Sequence, residues 1–258
     1  MSIDFDVPEP GIALITINRP EKRNAMDAEH YEGLSRAWQR VRDDTDIRVA
    51  IVTGAGDKSF SSGADLKSFI GRKVELDAFW QTQKDQLLNR GMEIWKPVIA
   101  AVNGYCLAGG MTLLLATDIR VCVPHATFSV AEVKRGIIAA NGGTQRIIKQ
   151  LPHAIAMEML LTGNSITAEV AERWGLVNKV VEPEQLLETA LTYARQIAKN
   201  APLAVMAAKE LALRGPEQGL TGGLRMEQMV NKILMTSADA REGALAFSEK
   251  RPACFTGA

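Results

Sequence analysis

The stretch PVIAAVNGYCLAGGMTLLLATDIRVCV, residues 97–123, contains the order of elements on which the fold depends. Its first six residues are almost continuously apolar, which predicts a strand that is buried on both faces. The glycines of LAGG predict a turn, MTLLLATD predicts a helix after it, and IRVCV predicts the next strand. Strand, glycine turn, helix and strand in succession predict a layered α/β domain.

The same order recurs towards the N terminus. IALITIN (12–18) predicts a strand that ends at an Arg-Pro turn, and RVAIVTG (48–54) predicts a second buried strand. Between them Asp27 is placed to cap a helix whose apolar residues recur at three- and four-residue spacings. The segment GAGDKSFSSGADLKSF (54–69) is interpreted as a loop that becomes a helix from Asp65.

Beyond residue 183 the periodicity becomes helical, in LLETALTYARQIAKN, PLAVMAAKELAL, LRMEQMVNKILM and ADAREGALAFSEK. No strand is expected among these segments. A boundary is predicted near Asn200, which divides the chain into an α/β part, 1–200, and a helical C-terminal part, 201–258. The absence of a long Pro- or Ser-rich linker predicts that the two parts pack tightly.

Composition excludes several classes of partner. The 30 basic and 30 acidic residues give a net charge of zero, so no overall field favours nucleic acid or an anionic membrane. The apolar runs are too short for a membrane span, and the acidic N terminus lacks the pattern of a signal peptide. A cytoplasmic protein is expected, with Cys106, Cys122 and Cys254 as reduced, buried thiols. The three scattered histidines predict no metal site.

Two glycine-containing turns are the first candidates for chemistry. SSGAD (61–65) and LAGGM (107–111) each end a loop and open a helix, where unpaired N–H groups and the helix dipole favour an anion. Glycine also permits a ligand to approach the backbone closely. One such turn alone is more often ordinary turn structure, and neither has the spacing of a P-loop or a GxGxxG motif.

Five segments together resemble the enoyl-CoA hydratase/isomerase family, the crotonases, over nearly the whole chain. They are ITINRPEKRNAM (15–26), FSSGADL (60–66), VNGYCLAGGMTLLLATDIRV (102–121), FSVAEVKRGI (128–137) followed by NGGTQR, and AREGALAFSEKRP (240–252). The resemblance implies a crotonase-like spiral of repeated strand-strand-helix units with a C-terminal helical trimerisation region. It also implies a homotrimer or a hexamer made of two trimers, an acyl-CoA substrate, and no metal or redox cofactor.

The resemblance assigns the oxyanion-hole N–H groups to Ala64 and Gly109, where they would stabilise negative charge on a thioester oxygen. A hydratase of this family ordinarily has two glutamates. Glu132 matches the second, whereas Thr112 stands where the first would be. Thr112 cannot act as a general base at neutral pH, although its hydroxyl could orient a water. Glu132 is therefore the candidate acid and base, with a raised pKa if it is partly desolvated.

The threonine leaves the reaction open. Hydration and a shift of the double bond both remain compatible with one glutamate, with hydratase the slightly favoured family label. A hydroxycinnamoyl-CoA hydratase-lyase is the alternative enzyme, and a non-catalytic acyl-CoA-binding or RNA-associated member is the alternative of another class.

Coenzyme A needs cationic partners for its phosphates and a slot for its adenine. The resemblance points to the loop after the first strand, to the first glycine turn and to the last helix. The candidate residues are Lys22, Arg23, Ala25, Ala64, Asp65, Lys67, Phe247 and Lys250. Asp65 and Asp118 are also interpreted as a helix cap and as a structural ion-pair or capping partner. Asn141 is predicted either to touch the substrate or to cap the helix that begins at NGGTQR.

Overall fold

A six-stranded sheet forms the centre of the protein in the computed structural model, which describes residues 2–69 and 87–258. Its strands are β1 (Ile3–Glu9), β2 (Ile12–Ile17), β3 (Val49–Gly54), β5 (Val98–Val102), β7 (Ile119–Cys122) and β10 (Lys179–Val180), in that spatial order. β1 and β2 are antiparallel, and every other pair is parallel. All five residues of β5 are buried, as expected for a strand covered on both faces.

A second, smaller sheet contains β4 (Ser59–Ser61), β6 (Tyr105–Leu107), β8 (Thr127–Ser129) and β9 (Ile166–Thr167). The first three are parallel, and β9 pairs antiparallel with β8. Each parallel strand follows a strand of the large sheet by a few residues, β4 after β3, β6 after β5 and β8 after β7. The chain thus steps between the two sheets three times, which agrees with the predicted repetition of strand-strand-helix units.

Ten helices accompany the sheets in the described part of the chain. They are α1 (Ala28–Asp43), α2 (Leu66–Phe69), α3 (Gly109–Leu114), α4 (Gly143–Gln150), α5 (His153–Thr162), α6 (Ala168–Arg173), α7 (Leu186–Ala198), α8 (Pro202–Arg214), α9 (Gly219–Leu234) and α10 (Ala238–Glu249). Short 3-10 turns lie at Pro20–Lys22, Leu88–Arg90, Ala131–Arg135, Pro183–Gln185 and Gly215–Gln218. Asp27 caps α1 as predicted, because its carboxylate accepts a hydrogen bond from the His30 N–H at 3.2 Å.

The long elements agree with the sequence pattern, whereas the short ones differ. The four predicted strands form within two residues of the expected bounds, and no strand follows Val180 among the residues that the structure describes. The interpretation of the segment before Asp65 as a loop is wrong at Ser59–Ser61, which is β4. Three residues are too few for an alternating pattern to appear in the sequence. The division at residue 200 falls between α7 and α8 and stays a prediction.

The structure also bears on the predictions for the cysteines and for membrane-spanning segments. Cys106 and Cys122 are buried free thiols, but Cys254 is exposed, so the prediction of a buried thiol is wrong there. The C-terminal tail leaves its side chain at the surface. No helix within the described ranges has the length and apolar character that a bilayer span requires.

Arg120 is a charged residue inside this α/β layer. Its guanidinium donates to the Thr117 carbonyl at 2.9 Å, the Leu176 carbonyl at 3.1 Å and the Gln150 side chain at 2.8 Å. These bonds join the end of α3, the turn after α6 and the end of α4 to β7. Burial lowers the pKa of Arg120 to about 10, and the carbonyl oxygens compensate for the lost water.

We expect Arg120→Leu to lower the free energy of unfolding by about 3 kcal/mol or more, because several buried carbonyls lose their donor. Denaturant unfolding followed by circular dichroism measures the change. Arg173→Leu is the matched control, since Arg173 makes an exposed ion pair with Glu169 at 2.8 Å that should contribute about 0.5 kcal/mol or less. Equal losses in the two variants would contradict a structural role for the Arg120 network.

Candidate active site

Three predicted site residues follow three neighbouring strands of the small sheet. Ala64 lies three residues after the end of β4, Gly109 two residues after β6, and Glu132 three residues after β8. Because these strands are parallel, their carboxyl ends lie at one edge of the sheet. Ligands of open α/β sheets bind outside the carboxyl ends of the strands. The topology therefore brings all three residues to one place.

The two glycine turns touch each other. Gly63 has a φ of +92°, in the region that favours glycine, and a Cβ atom there would lie only 2.7 Å from the Gly109 nitrogen. A Cβ atom on Gly109 would lie 3.3 Å from the Ala64 nitrogen. The backbone nitrogens of Ala64 and Gly109 are thus close neighbours, and the missing side chains at positions 63 and 109 permit the approach.

Both nitrogens keep their protons available. Met26 forms two backbone hydrogen bonds with this turn, donating its N–H to the Gly63 carbonyl and accepting from the Asp65 N–H, both at 2.8 Å. The Ala64 N–H takes part in neither bond. Gly109 is the first residue of α3, where an N–H has no acceptor within the helix. Among the described residues, neither N–H donates to a protein acceptor. Two such donors side by side form a site for an oxygen that carries negative charge.

A buried polar network holds the first turn in place. Ser61 Oγ accepts from the Gly63 N–H at 3.1 Å and donates to the Asn24 carbonyl at 2.8 Å. The Asn24 side chain, fully buried, donates to the Ser59 carbonyl at 2.6 Å and accepts from the Arg19 N–H at 2.9 Å. Sequence reasoning singled out neither Asn24 nor Ser61. The sequence feature that could have identified them is the presence of an Asn and a Ser within the segments that resemble the family, because these residue types form hydrogen bonds to nearby backbone groups.

Asp65 is engaged by the protein itself. Its carboxylate accepts from the Lys67 N–H at 3.2 Å, so the interpretation as a helix cap is confirmed. It also pairs with the Arg19 guanidinium at 3.0 Å, which reaches Asp27 as well at 3.2 Å. Asp118 is confirmed as a structural ion-pair partner, since it contacts Lys209 Nζ at 2.7 Å. Asp65 thus fastens the loop after β2 to the start of α2.

Glu132 is a buried acid in the 3-10 turn after β8. The residue is 9% exposed, and its Oε2 atom has no hydrogen-bond partner among the described protein atoms. Burial raises the pKa of Glu132 above the ordinary 4.5, because a charged carboxylate loses hydration there. A carboxyl group of this kind releases and recovers a proton more readily near neutral pH than a solvated one.

Tyr31 borders the second glycine turn. It lines a small cavity together with Met26, Asn89 and Gly109. Burial raises the pKa of Tyr31, and the charge of Glu132 raises it further. The Glu132 carboxylate is therefore within electrostatic reach of a residue that borders the Gly109 turn.

Thr112 is buried, and its hydroxyl is occupied. It donates to the Gly109 carbonyl at 3.0 Å and accepts from the Asn89 side chain at 3.1 Å. The threonine methyl packs against Gly143, where an added Cβ would lie 2.9 Å from it. Since the hydroxyl proton is already used, the geometry gives Thr112 a structural contact with the second turn. Its role towards a water stays a prediction.

Asn141 lies beside two arginines that sequence reasoning did not single out. Its side-chain oxygen accepts from Arg90 Nε at 2.8 Å, and its carbonyl accepts from Arg146 Nη1 at 3.2 Å. Gly142 is the N-cap of α4, and no side chain caps that helix. The prediction that Asn141 caps the helix is therefore wrong, because Arg90 takes its side-chain oxygen. Contact with a substrate stays a prediction.

The residues predicted to bind coenzyme A fall into two groups. Lys22, Arg23 and Lys67 are exposed near the first turn, and the Arg23 guanidinium lies 5.3 Å from the centre of the Tyr105 ring. The Ala25 carbonyl accepts from Arg19 at 3.3 Å. Phe247, 89% exposed, and Lys250 lie at the end of α10. No hydrogen bond, ion pair or ring contact of the described residues joins this second group to the first.

Two other predictions concern this region. The resemblance also implies that the acyl chain lies in a pocket lined by the helix after Asp65 and by parts of the C-terminal helices. The first of these helices, Leu66–Phe69, reaches the end of the described range, so residues 70–86 lie outside it and the pocket stays a prediction. No group of His, Cys, Asp and Glu side chains suited to a metal ion occurs within 2–69 and 87–258.

Comparison with known proteins adds to this geometry. The family described as enoyl-CoA hydratase/isomerase matches residues 8–258. The chain is 43% identical over 247 residues to (E)-benzylidenesuccinyl-CoA hydratase of Thauera aromatica, covering 96% of each protein. It is 44% identical over 241 residues to carnitinyl-CoA dehydratase of Salmonella arizonae, covering 92% of each.

Solved structures support the same assignment. An enoyl-CoA hydratase from Bacillus anthracis superposes with a TM-score of 0.93 at 34% identity, covering 100% of both chains. An enoyl-CoA hydratase from Mycobacterium tuberculosis has a TM-score of 0.89 at 38% identity, covering 100% of this chain and 99% of its own. The predicted mixed α/β fold with C-terminal helices is confirmed.

We expect Glu132→Gln to gain stability relative to the wild type as pH rises. The raised pKa means that the folded protein binds this proton more tightly than the unfolded chain. The stabilising contribution is present below the ordinary pKa and is lost as pH rises through the raised value. Each unit of difference corresponds to about 1.4 kcal/mol. Thermal unfolding between about pH 4 and about pH 8 measures the effect.

Glu184→Gln is the control for this measurement, because Glu184 is exposed and its loss removes the same charge. If the stability of Glu132→Gln relative to the wild type did not change with pH, as expected for Glu184→Gln, that result would contradict the burial of an ionisable Glu132.

Proposed function

The chain belongs to the enoyl-CoA hydratase/isomerase family and is an enzyme of the hydratase or lyase class, and on that premise we propose that it adds water to, or removes it from, an acyl-CoA thioester through an enolate. The observation that carries the proposal is the pair of available N–H groups of Ala64 and Gly109. Two fixed backbone donors stabilise an enolate oxygen without reorganisation.

Glu132 supplies the proton transfers in this proposal. In hydration its carboxylate takes a proton from water, and the oxygen of that water forms a bond to the β-carbon. The electron pair of the double bond then forms a double bond between the α-carbon and the carbonyl carbon. The carbonyl π pair moves to the thioester oxygen, where Ala64 and Gly109 donate to it. The protonated Glu132 then returns the proton to the α-carbon as the carbonyl re-forms, so one water is added. Dehydration is the reverse sequence.

A single carboxylate supports this cycle because the same proton leaves the water and reaches the α-carbon. Thr112 does not supply a proton to this cycle, because its hydroxyl already donates to the Gly109 carbonyl. The relatives at 43% and 44% identity are named a hydratase and a dehydratase, which favours this reaction over a double-bond shift. Isomerisation, hydroxycinnamoyl-CoA cleavage and non-catalytic binding are the alternatives that the assays below separate.

Coenzyme A would lie across the loop after β2. Lys22, Arg23 and Lys67 are exposed there and carry charges that attract its phosphates. The Arg19–Asp65 ion pair stabilises the backbone of this loop beside Ala25. Arg23 adopts a φ of +53°, so the loop has a defined turn at the point where the cofactor portion of the substrate would pass.

The C-terminal helices would form the oligomer. Large apolar side chains are exposed on α8, α9 and α10: Leu213, Leu220, Leu224, Met229, Ile233, Leu245 and Phe247. An apolar surface of this kind is typical of an interface. Assembly into a trimer or hexamer would cover it, and Phe247 and Lys250 would then meet the coenzyme A of a neighbouring subunit instead of their own.

The test of the reaction uses three thioesters, crotonyl-CoA, a 3-enoyl-CoA and feruloyl-CoA, with wild type and Glu132→Gln. We expect wild type to hydrate a 2-enoyl-CoA, and we expect Glu132→Gln to lose at least about 100-fold in kcat, as for removal of a general acid and base. The wild-type rate should fall on the acid side at a pH above 4.5, because the pKa of Glu132 is raised and its charged form is needed.

Glu184→Gln should keep the wild-type rate. Turnover of only the 3-enoyl-CoA would identify an isomerase, and turnover of only feruloyl-CoA would identify a hydratase-lyase. Binding of thioesters without any turnover would overturn the enzyme proposal, and a full rate in Glu132→Gln would show that another group is the base.

We expect Gly63→Ala to reduce kcat by about 100-fold or more, because the new Cβ would push the Gly109 nitrogen away from the Ala64 nitrogen. Gly175→Ala is the matched control, since Gly175 also has a positive φ, +74°, but nothing lies within 4 Å of its Cβ position. Steady-state kinetics and thermal unfolding of both variants provide the comparison. A loss of stability shared by both, with normal kcat in Gly63→Ala, would contradict the oxyanion role.

A further inference from the structure

Arg90 is a half-buried arginine in the 3-10 turn before β5, beside the site. Its Nε donates to the Asn141 side chain at 2.8 Å, and no carboxylate of the described residues lies within ion-pair distance of it. Arginines elsewhere do pair with acids, as Arg195 does with Glu9 and Arg251 with Glu242. The bond through Nε leaves the two terminal nitrogens of Arg90, the edge that holds a carboxylate in a bidentate pair.

The Arg90 guanidinium lies near the cavity that Gly109 borders. It is 5.7 Å from the centre of the Tyr31 ring, and Tyr31 borders the cavity at Gly109. The charges of Arg90 and Glu132 act on the Tyr31 pKa in opposite directions, yet the two side chains form no ion pair with each other. Tyr31 is therefore near both charges, and it links the Arg90 guanidinium to the cavity that Gly109 borders.

Arg146 fixes the position of Arg90. Its Nη1 atom donates to the Asn89 carbonyl at 3.0 Å and the Asn141 carbonyl at 3.2 Å. These are the residue before Arg90 and the residue that binds its Nε. Arg146 thus joins the segment before β5 to the segment before α4, on either side of the Arg90 guanidinium. It is a positioning residue that adds a second positive charge, and burial lowers its pKa.

The local charge balance indicates what this pocket accepts. Neutral oxygens hold the two guanidinium groups, and neither group pairs with a carboxylate of residues 2–69 or 87–258. A cation that has lost its hydration is stabilised when an anion forms an ion pair with it. With a neutral alkyl chain, Arg90 would have no counter-charge among the described residues, and it would repel a cationic acyl group.

We infer that the acyl group of the substrate carries a carboxylate that binds Arg90, so that the enzyme acts on the coenzyme A monothioester of an unsaturated dicarboxylic acid. This inference rests on the proposed function for the thioester end of the substrate, and it assigns Arg90 as the group that binds the other end of the acyl chain. Arg90 is then the residue that determines specificity, and Asn141 and Arg146 orient it.

Binding of saturated analogues tests the inference without any turnover. Isothermal titration calorimetry compares glutaryl-CoA with pentanoyl-CoA, adipyl-CoA with hexanoyl-CoA, and each with a 4-trimethylammoniobutanoyl thioester. We expect the wild type to bind a dicarboxylic thioester about 10-fold to about 100-fold more tightly than its neutral counterpart of the same length, as for a charge-assisted hydrogen-bonded pair. Arg90→Gln should abolish that preference, and Arg90→Lys should retain part of it.

Arg135→Gln is the control variant, because Arg135 is exposed near Glu132 and its loss removes the same charge from the region. It should keep the wild-type preference, and thermal unfolding should show that all three variants are folded. Equal binding of charged and neutral thioesters by the wild type, or tighter binding of the cationic one, would overturn the inference. So would an undiminished preference in Arg90→Gln.

Turnover separates this inference from the proposed function. Glutaconyl-CoA and pent-2-enoyl-CoA are the matched pair, and we expect a higher kcat/KM for glutaconyl-CoA through a lower KM. A binding preference that depends on Arg90, without turnover of either thioester, would refute the hydratase proposal and leave the carboxylate site standing. Turnover of both at equal kcat/KM, with equal binding, would refute the carboxylate site and leave the hydratase proposal standing.

Discussion

The close contact between the two glycine turns is the constraint on which the site depends. A side chain on Gly63 would displace the Gly109 nitrogen, and one on Gly109 would lie only 3.2 Å from the Gly63 Cα. Because neither glycine carries a side chain, the Ala64 and Gly109 nitrogens lie side by side, and among the described residues neither N–H has a protein acceptor. The small sheet supplies this contact, because β4 and β6 are adjacent parallel strands that end at the same edge. The buried bonds of Asn24 and Ser61 then hold the first turn against it.

Glu132 shows how chemistry and stability oppose each other in this fold. A buried carboxyl oxygen without a partner costs free energy when it is charged, and the same burial gives the group a pKa closer to neutral pH. The turn after β8 holds it at the edge where the two N–H groups lie. Thr112, whose hydroxyl is bonded to Gly109 and Asn89, adds no carboxyl group at this edge. Asp65 is paired with Arg19, so Glu132 is the acid there without an ion pair among the described residues.

The sequence predicted the long elements well and the short ones poorly. β2, β3, β5 and β7 are apolar over several residues, so their burial is visible in the sequence itself. β4 and β6 are three residues long, and hydrogen bonding to neighbouring strands, not local composition, makes them strands. The capping prediction for Asn141 was wrong for a related reason. Arg90, 51 residues away in the chain, takes its side-chain oxygen, and no local pattern reveals that partner.

The sequence by itself determined the family, the alternation of strands and helices, the helical C-terminal part and the two glycine turns, because these depend on local composition and on motif order. It also identified Glu132 as the second of the two family glutamates and Thr112 in the place of the first. The tertiary structure decided that the two turns touch, that Thr112 is bonded within the protein, and that Arg90, Asn141 and Arg146 stand beside the site. Those facts depend on atoms brought together from distant parts of the chain, and only the packed sheets and helices fix such distances.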